Sequence, residues 1–232
     1  MKKSRYLLLG LLAVGAVVAY LWFNNPLNGL LKHAIEKYGS EMTGATVRVG
    51  KVQLSPTDGH GVLSNLSLGN PPGFETSHAF KAGHVEVALV PESLTKDVLL
   101  IRKIAIESPD ISYEKGKSGT NFDAIQRNVE RYLGTSKQQK ADEPGRKMII
   151  DSLTIRNIKV NYNGMIELKL PDIELRNIGK RSGGATSAQV TKAIISELNT
   201  KLMISLAKTV AIGAVGGVAI GVGMGIKSLF GD

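Results

Sequence analysis

Residues 6–23 (YLLLGLLAVGAVVAYLWF) constrain this chain most, because they form an unbroken apolar run without a charge. At about 1.5 Å per helical residue, the run just spans a bilayer core of roughly 30 Å. Lys2, Lys3 and Arg5 lie only on its N-terminal side. Such a charge bias holds the N-terminus in the cytoplasm and sends everything after Asn24 across the membrane. The run has no polar face, which argues against a buried helix of a soluble protein. A cleaved signal peptide is the rival reading. Its apolar stretch spans about 7–15 residues and ends at a small-x-small site, whereas this run ends in bulky Tyr20-Leu21-Trp22-Phe23. The sequence predicts an uncleaved anchor over residues 1–23. Leu7, Leu8, Leu9, Leu11, Leu12, Val14, Val17, Val18 and Leu21 lie in lipid, and Trp22 sits at the interface.

Behind the anchor, 232 residues leave room for one ordinary domain and a tail. The absence of cysteine excludes disulfides and thiol chemistry. The net charge of +9 is spread singly among acids, with no basic block. Nucleic-acid binding calls for a concentrated stripe. An anionic lipid surface, or simply a solvated basic surface, accounts better for the excess.

Asn24-Asn25-Pro26 reads as a helix start, and Leu27, Leu30, Leu31, Ala34, Ile35 and Tyr38 make one apolar stripe up to a stop at Gly39. From Thr46 the period becomes two. Val47 and Val49 alternate, Gly50-Lys51 slips the phase as a bulge does, and Val52 and Leu54 continue. After the turn at residues 57–61 come Leu63, Leu66 and Leu68, then Val85, Val87 and Leu89, then residues 98–106, then Ile111 and Tyr113. Residues 45–115 thus predict a meander of about five strands. Asn121 is a candidate cap for a helix carrying Phe122, Ile125, Val129, Tyr132 and Leu133 and ending at Gly134. Residues 135–147 lack large apolar side chains and read as a linker. Strands resume at Ile149, turn at Asn163-Gly164 and return through Ile166, Leu168, Leu170, Ile173, Leu175 and Ile178. Ile101-x-x-Ile104-x-Ile106 with Ile111-x-Tyr113 echoes Ile150-x-x-Leu153-x-Ile155 with Ile158-x-Val160-x-Tyr162, apart from a two-residue gap.

Residues 186–207 are helical by period, with Val190, Ile194, Leu198, Leu202 and Leu206 four apart. The uncharged stretch 209–226 then sets Gly213, Gly217, Gly221 and Gly225 on one helix face. In lipid such a ladder lets helices approach closely. In water each glycine costs a helix about 1 kcal/mol relative to alanine. The segment is therefore membrane-embedded, packed on a partner or on the domain's own sheet, or disordered. The architecture predicted is α+β and β-rich. It comprises an anchor (1–23), a β module (24–134), the linker (135–147), a second β segment (148–185) and a helical Gly-rich tail (186–232). The twisted antiparallel sheet has about seven or eight strands and two short helices.

The ordered strings TGATVRVGKVQLS (Thr43–Ser55), GVLSNLSLGNPPGF (Gly61–Phe74), VEVALVPESL (Val85–Leu94), LLIRKIAIESPDISYE (Leu99–Glu114) and GTNFDAI (Gly119–Ile125) together resemble the N-terminal module of the AsmA family of bacterial envelope proteins. LPDIELRNIGKRSGGAT (Leu170–Thr186) is similar to the later part of its shorter members. The resemblance implies a single-pass inner-membrane protein, N-terminus in, with a periplasmic β-rich domain forming a short groove. Large members are long grooves implicated in phospholipid movement and outer-membrane homeostasis. One module implies a short groove, and the Gly-rich tail lies outside the family pattern.

No catalytic constellation is legible. His78 and His84 lack acidic or cysteine companions at ligand spacing, so neither a metal nor another cofactor is expected. Asp58-Gly59-His60 reads as turn chemistry, no serine sits in a nucleophile elbow, and Asp123 and Glu130 read as a solvated face. A non-enzymatic lipid-handling protein is the first expectation, with membrane phospholipid as partner and Val85, Val87, Ile104 and Ile106 lining the groove. The alternative is a tethered scaffold that binds another envelope protein through an edge strand or the glycine ladder. Neither an oligomeric state nor a particular lipid is legible.

Overall fold

The apolar alternation of the strands is realised in a nine-stranded sheet, described from a computed structural model over residues 26–138 and 147–215. The order is α1 (Pro26–Thr43), β1 (Val47–Leu54), β2 (His60–Leu68), β3 (Phe80–Leu89), a 3-10 turn (Pro91–Thr95), β4 (Val98–Glu107) and β5 (Asp110–Tyr113). A small ribbon, β6 (Lys115–Gly116) and β7 (Gly119–Thr120), leads into α2 (Asn121–Gln138). Then follow β8 (Lys147–Arg156), β9 (Lys159–Tyr162), β10 (Ile166–Lys169), β11 (Ile173–Ile178), a 3-10 turn (Lys180–Ser182) and α3 (Ser187–Val215). The N-terminal run and Gly217, Gly221 and Gly225 lie outside the described residues, while Gly213 falls within α3. No helix among the described residues is long and apolar enough to cross a membrane.

β4 and β5, β8 and β9, and β10 and β11 are each one line of chain broken by a kink. The sheet therefore has six lanes: β1, β2, β3, β4–β5, β8–β9 and β10–β11. It is mixed rather than purely antiparallel, because β8 runs parallel to β4 and β9 parallel to β5. The reason is the long connection through α2, which returns the chain to the starting end, as a parallel pair requires.

All six lanes bend at one level. In β1 the bend falls at Gly50, in β2 at Asn65 (φ 54°), and in β3 at Gly83. In the fourth lane it falls at Ser108 (φ 49°), in the fifth at Asn157 (φ 51°), and in the sixth at residues 170–172. A left-handed residue in a strand inserts one position and bends it. A Cβ at Gly50 would stand 3.1 Å from the Asn65 Cβ, so glycine lets β1 close against the bend in β2. Inward residues consequently jump by three across the bend, as in Val49–Val52, Leu63–Leu66, Ala82–Val85, Ile106–Pro109, Ile155–Ile158 and Leu170–Ile173. The phase slip expected at Gly50-Lys51 is thus one of six.

The internal echo is continuous. Ile101, Ile104, Ile106, Ile111 and Tyr113 lie opposite Ile150, Leu153, Ile155, Val160 and Tyr162, always 49 residues apart. The two-residue gap arises from matching Ile111 with Ile158, whose counterpart is Pro109. Tyr113 stacks on Tyr162 at 5.8 Å and on Phe122 at 5.5 Å. Burial pushes its hydroxyl pKa up to about 12.

Helix α1 runs beside β1 and closes its free edge with one row of side chains. Ser40 Oγ accepts from Val47 N (2.8 Å), Glu36 Oε1 from Val49 N (2.9 Å) and Asn28 Oδ1 from Leu54 N (3.0 Å). Lys32 Nζ donates to Gly50 O (3.2 Å). Positions 28, 32, 36 and 40 share a face because residues four apart are neighbours on a helix. The helix does not stop at Gly39, where a Cβ would meet Val47 at 3.1 Å. It ends at Thr43, before left-handed Gly44 (φ 64°). α2 also runs past Gly134, to Gln138. Its cap is Thr120 rather than Asn121. Thr120 Oγ1 accepts from Asp123 N, and Asp123 Oδ2 accepts from Thr120 N. Thr186 and Gln189 form the same reciprocal box at α3.

If the bend needs the left-handed region at residue 108, Ser108→Gly changes stability by less than about 1 kcal/mol, while Ser108→Val costs about 1–3 kcal/mol. Urea unfolding of the two variants checks this.

Candidate functional site

One face of the sheet is polar, with Lys81, Lys103, Arg156 and Arg176 exposed. The other carries an apolar ladder in all six lanes. Val49, Ala82, Val85, Ile106, Ile111, Leu153, Val160, Leu168 and Ile173 are buried in one cluster with Phe122, Ile125 and Val129 of α2. Ala188, Val190, Ile195, Leu198, Leu202 and Leu206 of α3 join the same cluster. Residues 187–206 therefore belong with the sheet rather than with the Gly-rich tail.

Coverage of this face is uneven. In the hydrogen-bonded pairs Val85–Ile106 and Val87–Ile104, the first is buried, at 4% and 8% exposure, and the second is half-buried. The four predicted lining residues share a face, but Val85 and Ile106 are core. Leu54, Leu63, Leu66 and Leu68 of β1 and β2 are half-buried too. α1 gives little cover. Its stripe residues Leu27, Leu31, Ala34 and Ile35 are half-buried, while Leu30 and Tyr38 are exposed at 68% and 42%. This helix is held by its polar row along β1 and leaves its apolar stripe incompletely used. The result is a strip of half-covered apolar side chains on α1, β2 and the adjoining parts of β3 and β4.

A polar clamp fixes the end of the sheet beyond the bend. Asn121 is fully buried. Its Oδ1 accepts from Glu114 N and Phe122 N (both 3.0 Å), and its Nδ2 donates to Asn70 Oδ1 (2.8 Å) and Ser112 O (2.7 Å). Asn70 Nδ2 donates to Thr76 O and Oγ1. The Glu114 carboxylate accepts from the N–H groups of Glu75 and Thr76 (2.8 Å each) and from Thr76 Oγ1 (2.7 Å). Partial burial acts to raise the Glu114 pKa, and these hydrogen bonds outweigh it, leaving the group below the ordinary glutamate value. The clamp joins GNPPGF to GTNFD. Sequence pattern does not reveal it as a unit, although its asparagines stand in both strings.

Other polar groups do not converge. His84 sits within β3 on the polar face. Nδ1 of His78 is 2.8 Å from Ser77 Oγ, and its Nε2 is 3.2 Å from Asp110 Oδ2, off the direction of a hydrogen bond. No group of three or more His, Cys, Asp or Glu among the described residues is placed to hold a metal. Asp123 serves the α2 cap, and Glu130 pairs with Lys192 (2.8 Å), joining α2 to α3.

A model of the AsmA family matches residues 7–206, most of the chain. The chain belongs to the AsmA family. No curated protein matches it. The match runs from the N-terminal apolar run through the packed part of α3 and leaves out residues 207–232. AsmA membership is consistent with a role at the bacterial cell envelope.

Because the folded Glu114 pKa is depressed, its stabilising contribution is present above the ordinary carboxylate value and lost as pH falls through the folded one. Glu114→Gln lowers stability by about 1–3 kcal/mol at neutral pH and flattens its dependence on pH below about 4. Denaturant unfolding from pH 7 downwards checks both effects.

Proposed function

We propose that this AsmA protein is a non-enzymatic, membrane-tethered protein that holds phospholipid acyl chains and supports the bacterial envelope. In this reading residues 6–23 anchor it in the inner membrane and the domain lies in the periplasm. The supporting observation is the half-covered strip over α1, β2, Val87 and Ile104. Apolar rows on both sides of the same sheet edge stay incompletely buried although the rest of the face is sealed by α2 and α3. A mostly apolar concave surface of this kind suits an alkyl chain better than a polar metabolite.

The scaffold alternative has a narrower opening. α1 closes the β1 edge, so strand addition would use β10–β11, or the interaction would fall to the tail.

Native mass spectrometry with lipid extraction tests the proposal on the full chain, because truncation at residue 186 would remove Leu198, Leu202 and Leu206 from the core. Wild type retains phospholipid at a defined stoichiometry. Ile104→Asn and Val87→Asn stay folded and lose it several-fold, whereas Ile106→Asn costs about 3–5 kcal/mol and unfolds or melts early. Equal lipid content in wild type, Ile104→Asn and Val87→Asn overturns the groove.

A further inference from the structure

The domain has a directional end. The N-terminal apolar run stops three residues before Pro26, and α1 begins there. Asn28 is bonded to Leu54 N, so the run enters at the end of the sheet where β1 finishes. By register, that end also holds Gly61, Leu89, the starts of β4 and β8, and the finish of β11. The loop 179–185 is tied to it by the paired backbone hydrogen bonds between Met148 and Ala185 (2.8 Å each).

Cations and exposed apolar residues gather at this same end. Residues 96–102, 147–151 and 174–182 contain six Lys or Arg and three Asp or Glu. Arg176, Lys180 and Arg181 line a depression of about 660 Å³. Glu174 pairs with Arg176 at 2.5 Å, and Lys180 Nζ is 3.5 Å from Asn177 Oδ1. Among the described residues Lys147, Lys180 and Arg181 make no ion pair. Leu100 is exposed at 37%, and Ile149, its partner on β8, is half-buried. Leu30, early in α1, is exposed at 68%.

We propose that this end of the domain is a bilayer-docking surface. Lys147, Lys180 and Arg181 bind the phosphates of anionic phospholipid headgroups, and Leu100 and Leu30 enter the interface. Charge complementarity and the place where the apolar run joins the domain both favour a lipid occupant. A basic residue near an anionic surface contributes roughly five-fold in partition, and flanking apolar side chains add burial. Docking in this orientation rests on the reading of residues 6–23 as a membrane segment. It adds a direction to that reading, since the mouth beside Leu54 and Val87 then opens onto the leaflet.

The absence of cysteine makes a clean test possible. The full chain carrying Leu100→Cys, or Met165→Cys beyond the bend as a control, is labelled with an environment-sensitive fluorophore. It is then reconstituted into vesicles of phosphatidylcholine alone or mixed in equal parts with phosphatidylglycerol. The label at 100 shifts to an apolar signal in the mixed vesicles, and the label at 165 does not. Lys180→Glu with Arg181→Glu weakens the shift roughly ten-fold or more, and added salt does likewise. Both changes lie in an exposed loop, and an unchanged thermal melt shows that the fold survives. A label at 100 as wet as the label at 165 in mixed vesicles overturns the docking surface. Failure of the anchor reading has a separate signature, loss of the chain from phosphatidylcholine vesicles on flotation.

Discussion

The bend at one level across the sheet is the constraint on which the rest depends. Side chains alternate with a period of two, so one extra residue in a lane turns its later side chains to the opposite face. Here every lane takes the same slip at the same level, through Gly50, Asn65, Gly83, Ser108, Asn157 and residues 170–172. The apolar ladder therefore stays on one face on both sides of the bend. A left-handed non-glycine residue costs about 1–2 kcal/mol, and the surroundings hold each one in place. Ser108 N donates to Arg156 O (2.9 Å), while Asn157 donates from its N–H to Asp172 and from its side chain to Glu107. Tyr113 and Tyr162, one repeat apart, stack because the slip is shared.

A bent sheet with one apolar face needs cover, and its three helices supply it by different chemistry. α2 and α3 bury aliphatic residues against the ladder and are joined by Glu130 and Lys192. α1 is instead attached through the row Asn28, Lys32, Glu36 and Ser40, which satisfies the backbone groups a terminal strand would otherwise present. That attachment protects the edge from pairing with other strands. It also spends the helix on polar contacts, so its leucines stay partly in solvent.

Much of this is legible in the sequence. Strand alternation, the hairpin at Asn163-Gly164, the helix start at Pro26 and the α3 period all follow from local pattern, and Asn163 and Gly164 both take positive φ. The bend is legible once, at Gly50, because a glycine marks it. At Ser108 and Asn157 ordinary polar residues take the same role, and only the three-residue jump of the inward set betrays them. Mixed pairing is hidden because local pattern does not say which strand is the neighbour, and the long connection through α2 leaves either direction open. Helix ends are misplaced where tertiary contact overrides propensity, as at Gly39 beside Val47. Of the candidate site, the four lining residues do share one face, but the division into core and margin is not visible in the sequence. It depends on how far α1, α2 and α3 reach across the sheet.

That division bears on what the domain does. A face meant only as a core gains from complete cover, since each square ångström of apolar surface left in water forgoes about 25 cal/mol. The inner face is sealed at Ile111, Leu153, Val160 and Ile173 and left incomplete at Leu63, Leu66, Val87 and Ile104. The clamp of Asn121, Asn70, Thr76 and Glu114 stiffens the end beyond the bend, away from where the apolar run enters. Rigidity is thus concentrated at one end of the domain, and half-covered apolar surface extends to the other. A domain that receives a chain-like apolar ligand from a membrane needs that asymmetry: a fixed frame to hold shape, and an unsealed strip reaching the end nearest the lipid.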